Sequence, residues 1–66
     1  MPLNWEASYE IVLALMQNYP DVNVETVGTE QLLQWIIRLP QFEDDPELAN
    51  ESILNDILRE WYEETI

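Results

Sequence analysis

The sequence predicts a small, mainly α-helical domain made of three helices, and two observations support this fold class. Apolar residues recur at three- and four-residue spacing in three separate segments, which is the pattern of helices that bury one face. Each segment is bordered by a proline or by a side chain of the kind that caps helix ends. With 66 residues the chain has room for one small core, so we expect a single domain over residues 1–66.

The first helix is predicted over residues 5–19. Asn4 can accept a hydrogen bond from the free amides of a first turn, and Pro20 ends the helix. The residues of its inward stripe are Ile11, Ala14 and Leu15. Three more apolar residues widen the stripe beyond the needs of one small core: Val12, Leu13 and Met16. We expect some of these three to be exposed.

A short extended segment is predicted near residues 22–27, where polar and β-branched residues alternate. Gly28 permits a turn after it, and Thr29 is a suitable N-cap for a second helix over residues 30–39. The buried face of that helix follows i, i+3, i+4 and i+7 spacing with Leu32, Trp35, Ile36 and Leu39. Pro40 ends it.

The stretch from Pro40 to Asn50 is the least regular, and we expect Phe42 to fill part of the core from it. Asp45 precedes a proline, which is typical of an N-cap and first turn, and Asn50 is a second possible cap. The third helix is predicted over residues 51–64. Two adjacent i, i+4 rows form its apolar face: Ile53, Leu54, Ile57, Leu58, Trp61 and Tyr62.

The composition is acidic, with 14 Asp and Glu against two Arg and a net charge of −12. The chain contains no Cys and no His, so a thiolate nucleophile, a zinc finger and a Ser-His-Asp triad are excluded. Phosphate backbones and anionic lipids repel such a charge. We therefore predict a protein that binds neither nucleic acid nor membranes and presents a negative surface to a positively charged protein. We also expect it to be a monomer without enzymatic activity.

The N-terminal residues lack the positive start and apolar run of a signal peptide, and no stretch approaches the roughly 20 apolar residues of a membrane span. We therefore expect a cytoplasmic protein.

The densest acidic cluster is Glu43, Asp44 and Asp45, followed closely by Glu47. Carboxylate oxygens suit Fe²⁺, Mn²⁺, Mg²⁺ or Ca²⁺. The spacing matches neither an EF-hand loop nor a two-histidine, one-carboxylate site, so a bound metal would be held weakly and keep several waters. A solvated loop with an N-cap at Asp45 explains the same residues and stays open as the alternative.

Like charges one turn apart destabilise a helix slightly, so helix stability does not explain so many acidic residues. A solvated surface is one explanation, but the scarcity of neutralising bases favours a charged partner whose binding weakens as salt is added. The residues predicted to meet it are Glu6, Glu10, Asp21, Glu43, Asp44, Asp45, Glu47 and Glu51. An alternative function for the same charge is that of an acidic DNA mimic that inhibits a nucleic-acid-binding protein.

Aromatic and surplus apolar residues have a plainer interpretation. Trp35 and Trp61 lie at core positions of their helices, whereas the position of Trp5 at a helix start leaves its role open. Four surplus apolar residues are expected to pack, and any that are exposed would form an apolar surface patch: Val12, Leu13, Leu33 and Ile37.

A longer pattern runs through the chain: Leu3-x-Trp5, Tyr19-Pro20-Asp21, Thr26-Val27, Trp35-Ile36, Phe42-x-Asp44-Asp45-Pro46, Asn50-Glu51-x-Ile53-Leu54, Ile57 and Trp61. It resembles the IscX family, small acidic proteins of bacterial iron-sulfur cluster assembly, over essentially the whole chain. The resemblance implies a modified winged-helix fold and an adaptor or regulator that binds the cysteine desulfurase IscS. It also implies that the binding surface on IscS is basic and is used by ferredoxin and frataxin-like proteins too, so the chain would compete with them. A further implication is weak iron binding by surface carboxylates.

This chain departs from the family pattern in two places. Ahead of Trp-Ile the family usually has Thr-Val-Arg-Phe-Thr-Asp-Leu-His, whereas residues 26–33 here have Gly28 and Leu33 at the basic and imidazole positions. After Trp-Ile the family tends to carry acids, and here Arg38, Pro40 and Gln41 stand in that stretch. If these positions contribute to function, we expect weaker metal binding or a different contact with the partner.

Overall fold

A computed structural model describes residues 2–65. Its three α-helices are α1 (Ser8–Asn18), α2 (Thr29–Ile37) and α3 (Glu51–Thr65). A first 3₁₀ turn, Val24–Thr26, precedes α2, and a second, Pro46–Leu48, precedes α3. The described residues contain no β-strand, only an isolated parallel bridge. The mainly α, three-helix prediction is therefore confirmed, while the winged-helix subtype stays a prediction.

The core lies between the three helices, and α3 packs against both other helices and the first 3₁₀ turn. Its largest fully buried side chains are Trp61, Ile11, Leu15, Leu32, Ile36, Ile57 and Val12. No buried polar or charged residue is found among residues 2–65, so the core does not bear the desolvation cost of such a group. The predicted inward face of α1 is thus confirmed. Those of α2 and α3 are confirmed in large part, since Trp35, Ile53 and Leu58 are half-buried against the core and Tyr62 is 38% exposed.

Helix α1 begins at Ser8, three residues later than predicted. Asn4 does not cap the helix, because its side chain accepts a hydrogen bond from the Glu6 amide at 2.9 Å within a preceding turn. The N-cap is Ala7, whose side chain makes no capping bond. The helix starts late because the tail before it is paired with a distant loop, which keeps residues 3–5 out of helical geometry.

The prediction of a short extended segment near residues 22–27 is wrong at its centre, where Val24–Thr26 form the first 3₁₀ turn, whereas the flanking Asn23 and Val27 have extended backbone geometry. Asn23 causes the turn: its side chain accepts from the Glu25 amide at 3.1 Å, and its carbonyl accepts from the Thr26 hydroxyl at 2.8 Å. With no strand beside it, the segment instead curves so that Val24 is buried against α3.

The N-cap of α2 is Gly28 and not Thr29, which is the first residue of the helix. Gly28 has φ −85° and ψ 165°, ordinary extended geometry that needs no glycine. The two other predicted caps are confirmed. Asp45 accepts from the Glu47 amide at 2.9 Å in the second 3₁₀ turn, and Asn50 accepts from the Ile53 amide at 2.9 Å at the start of α3.

Candidate functional site

The N-terminal tail is paired with the loop that follows α2. The amide of Leu3 donates to the carbonyl of Gln41 at 2.7 Å, and the amide of Glu43 donates to the carbonyl of Leu3 at 2.9 Å. These two bonds form the parallel bridge between Leu3 and Phe42. They bring the tail next to the start of the segment of residues 43–47. We name this segment the acidic loop.

Trp5 connects this tail to the acidic loop through its backbone and its side chain. Its amide donates to Oδ2 of Asp44 at 3.1 Å, and its indole Nε1 donates to the carbonyl of Asp45 at 2.8 Å. The indole and the Phe42 ring also pack in a T-shaped arrangement, with centroids 4.7 Å apart and ring planes at 65°. Trp5 is only 8% exposed, which places it in the core and gives the half-buried Phe42 its predicted anchoring role.

Two aspartates of the acidic loop are occupied by backbone amides. Asp44 accepts from the Trp5 amide with Oδ2 and from the Asp45 amide with Oδ1, the latter at 2.7 Å. Asp45 uses Oδ1 to cap the second 3₁₀ turn. Glu43 and Glu47 are exposed, and their carboxylates accept no hydrogen bond from residues 2–65. The aspartates therefore shape the loop, and the glutamates carry charge that is available to a partner.

The structure gives no support of its own to the metal interpretation of Glu43, Asp44 and Asp45. Among residues 2–65, no group of three or more acidic side chains is placed so that it could hold a metal ion. The hydrogen bonds of the two aspartates agree with the alternative of a capped, solvated loop. Metal binding by these residues stays a prediction.

The predicted partner-binding residues do not form one compact cluster. Glu6 follows Trp5 in the turn before α1, beside the acidic loop, and Glu10 lies in the first turn of α1. Asp21 lies beyond the opposite end of α1, an 11-residue helix about 15 Å long. Glu51 stands at the start of α3, where its carboxylate accepts from the Thr29 hydroxyl at 3.3 Å.

Very little positive charge neutralises these acids. Within the described part of the chain one ion pair is present, between Arg59 and Asp56 at 3.9 Å, with both side chains largely exposed. The other arginine, Arg38, lies exposed at the C-terminal end of α2, where its charge suits the helix dipole. Most of the exposed carboxylates of residues 2–65 therefore have no basic side chain beside them, as the composition indicated.

Helix α1 carries two exposed apolar residues that its core-facing role does not need. Tyr9 is 47% exposed and Leu13 is 40% exposed. Of the four surplus apolar residues named from the sequence, Val12 is buried and Leu33 and Ile37 are half-buried, so only Leu13 is exposed. The exposure of Tyr9 was not predicted from the sequence, although its i, i+4 spacing from Leu13 indicates that the two residues share one face of the helix.

A shallow groove of about 340 Å³ lies between the first 3₁₀ turn and α3. Its lining residues are Val24, Glu25, Val27, Leu58, Arg59 and Tyr62. The polar groups of this lining are the carboxylate of Glu25, the guanidinium of Arg59 and the hydroxyl of Tyr62.

Helices α1, α2 and α3 are each too short or too polar to cross a lipid bilayer.

Comparison with known proteins places the chain in context. The family model described as iron-sulphur cluster assembly matches residues 3–65. An uncharacterized protein of Pseudomonas aeruginosa is 36% identical over 64 residues, which cover 97% of this chain and 97% of that protein. The match includes the tail, the acidic loop and all three helices.

Proposed function

The chain belongs to the iron-sulphur cluster assembly family, known as the IscX family, and we propose that it is a non-enzymatic adaptor or regulator of that process. In this proposal it binds a cysteine desulfurase by placing its acidic surface on a basic area of the enzyme. It has no thiol and no imidazole of its own, so it acts by occupying that area. It would thereby tune the desulfurase rate or exclude ferredoxin or a frataxin-like protein.

The observation that carries the proposal is the unneutralised charge around the acidic loop. Glu6, Glu43 and Glu47 are exposed there, and the loop that presents the last two is held to the tail by the bonds from Trp5. A loop that is ordered before binding loses little conformational entropy when it docks. A dense anionic surface also speeds encounter with a cationic one and selects against acidic partners.

Iron enters the proposal as weakly held cargo. Asp44 already accepts two backbone hydrogen bonds and Asp45 one, which leaves Glu43 and Glu47 as the more available carboxylates of the loop. One or two exposed carboxylates bind a hard divalent cation weakly, and the ion keeps most of its waters. We therefore propose iron binding that is weak and is strengthened when the partner supplies further ligands.

In the test, purified cysteine desulfurase is added to the isotope-labelled protein, with and without Fe²⁺, and the NMR chemical shifts of the backbone amides are recorded. We expect the largest shifts at Glu6 and in the acidic loop, and a dissociation constant that rises steeply with salt. The double variant Glu43→Gln, Glu47→Gln should bind several-fold more weakly. Its matched control is Glu63→Gln with Glu64→Gln, which removes the same charge from the end of α3 and should bind nearly as the wild type does.

Aspartate variants need more care because Asp44 and Asp45 also shape the loop. Replacement by Asn removes the charge and retains one acceptor oxygen. Asp44→Asn and Asp45→Asn should therefore weaken binding, while the amide spectrum remains that of a folded protein. Binding that does not respond to salt, or to any of these variants, would contradict the proposal. Displacement of the chain from its partner by duplex DNA would support the alternative of a DNA mimic.

A further inference from the structure

The exposed face of α1 combines an apolar centre with an acidic border. Tyr9 and Leu13 are one turn apart and are 47% and 40% exposed. At 100° per residue they share a face with the half-buried Met16. The opposite side of α1, with Ile11 and Leu15, is fully buried against the core. Folding therefore does not require an apolar residue at either of the two exposed positions.

Glu10 borders this face within α1, because it lies one residue after Tyr9 and three residues before Leu13. Glu6 adds a second exposed carboxylate in the turn that precedes the helix. The sequence of α1, Ser8–Asn18, contains no basic residue. An apolar centre with charged residues at its edge is the usual arrangement of a protein interface, in which the centre is dehydrated and the rim stays in water.

The charge decides which occupant fits this face. A second copy of the chain would bring a net charge of −12 and the same acidic border against its own kind. Membranes with anionic lipids and nucleic acids are repelled for the same reason. A protein surface that has an apolar hollow bordered by Lys or Arg matches both components of the face.

We propose that the face of Tyr9, Leu13, Glu6 and Glu10 is an apolar anchor that docks on a cationic protein surface with an apolar centre. The inference rests on the proposed function, since it takes the basic area of the desulfurase as that surface. It adds that binding has two components with different salt dependence. The carboxylates attract the partner and are screened by salt, whereas burial of Tyr9 and Leu13 is not screened.

The experiment measures the affinity of purified desulfurase for the full chain and for Tyr9→Gln and Leu13→Gln, each at low and at high salt. Gln is a good helix former without charge or a large apolar surface. The control is Tyr62→Gln, the same change at a 38% exposed tyrosine near the end of α3, away from the acidic loop. We expect each α1 variant to bind about tenfold more weakly at both salt concentrations. The control should bind as the wild type does, and all three should keep the wild-type circular dichroism.

A second arm does not depend on the desulfurase. A helical peptide with one leucine stripe bordered by lysines is titrated into the labelled chain, beside a peptide of equal charge in which the leucines are replaced by serine. The leucine peptide should shift the amides of Tyr9, Glu10 and Leu13, and Leu13→Gln should abolish that preference. If the desulfurase does not bind the wild type but this pattern holds, the proposed function fails while the face keeps its assignment.

Three outcomes overturn the inference. The first would be α1 variants that bind the desulfurase as tightly as Tyr62→Gln does, or that lose affinity only at low salt. The second would be two peptides that shift the same amides with equal affinity. The third would be a dimer of the free chain in sedimentation that Leu13→Gln dissociates, which would assign the face to self-association.

Discussion

The indole Nε1 of Trp5 donates a hydrogen bond of 2.8 Å to the backbone carbonyl of Asp45, joining positions 40 residues apart. The backbone amide of the same tryptophan reaches Asp44 at 3.1 Å. Together with the backbone bonds of Leu3 to Gln41 and Glu43, Trp5 thereby fixes the position of the acidic loop relative to the N-terminal tail.

Trp5→Phe removes the indole donor and part of the ring that meets Phe42. We expect the free energy of unfolding to fall by about 1–3 kcal/mol, from one lost hydrogen bond together with a small cavity. Urea denaturation measures this change. Amide exchange in the acidic loop should also accelerate, because the carbonyl of Asp45 loses its partner. The control is Tyr62→Phe at a 38% exposed position, which should change neither quantity.

Asp44→Ala should destabilise the chain more than Asp44→Asn. The alanine variant leaves the amides of Trp5 and Asp45 without their acceptor, at a cost of about 1–3 kcal/mol, whereas asparagine can still accept one of the two bonds. Thermal and urea unfolding of both variants provide the comparison. Equal stability of the two would mean that Asp44 acts by charge alone.

Gly28→Ser should stabilise the protein by about 0.5–1 kcal/mol. The glycine has the extended geometry of an N-cap, and a Cβ at this position would meet no atom within 4 Å. Serine adds an acceptor for the first-turn amides of α2 and reduces the entropy of the unfolded chain. A denaturation midpoint at or below that of the wild type would show that Gly28 is required for another reason.

The melting temperature should rise when sodium chloride is increased from about 10 mM to about 0.5 M, because salt screens the repulsion among exposed carboxylates. With a net charge of −12 and one ion pair among residues 2–65, we expect a rise of about 4 °C or more. Differential scanning calorimetry measures it. Sodium sulfate is avoided, since it also strengthens apolar burial. A flat or falling melting temperature would show that the charges do not repel each other appreciably.

Local patterns in the sequence were sufficient to predict those elements that neighbouring residues determine. The apolar spacing of α2 and α3 predicted their buried faces, and the caps Asp45 and Asn50 were visible as residue types before an acidic first turn. The same reasoning failed at residues 22–27, where alternation indicated extension. The Asn23 side chain formed a 3₁₀ turn there, because no neighbouring strand offered the backbone an alternative partner.

The candidate site was predicted in composition but not in arrangement. The sequence identified the acidic residues, including Glu6 and the acidic loop, yet could not place them together or separate Asp21 from them. It also left the role of Trp5 open, since that role depends on a carbonyl and a carboxylate about 40 residues away. The exposure of Tyr9 likewise depends on which side of α1 packs against the core.

The sequence by itself therefore determined the helices, their buried faces, the anionic surface and the absence of thiol and imidazole chemistry, because residue type and short-range spacing govern each of these. The tertiary structure decided which carboxylates are used as internal acceptors and which face of α1 remains uncovered. These features depend on contacts between residues distant in the chain, and the geometry of packing selects those contacts.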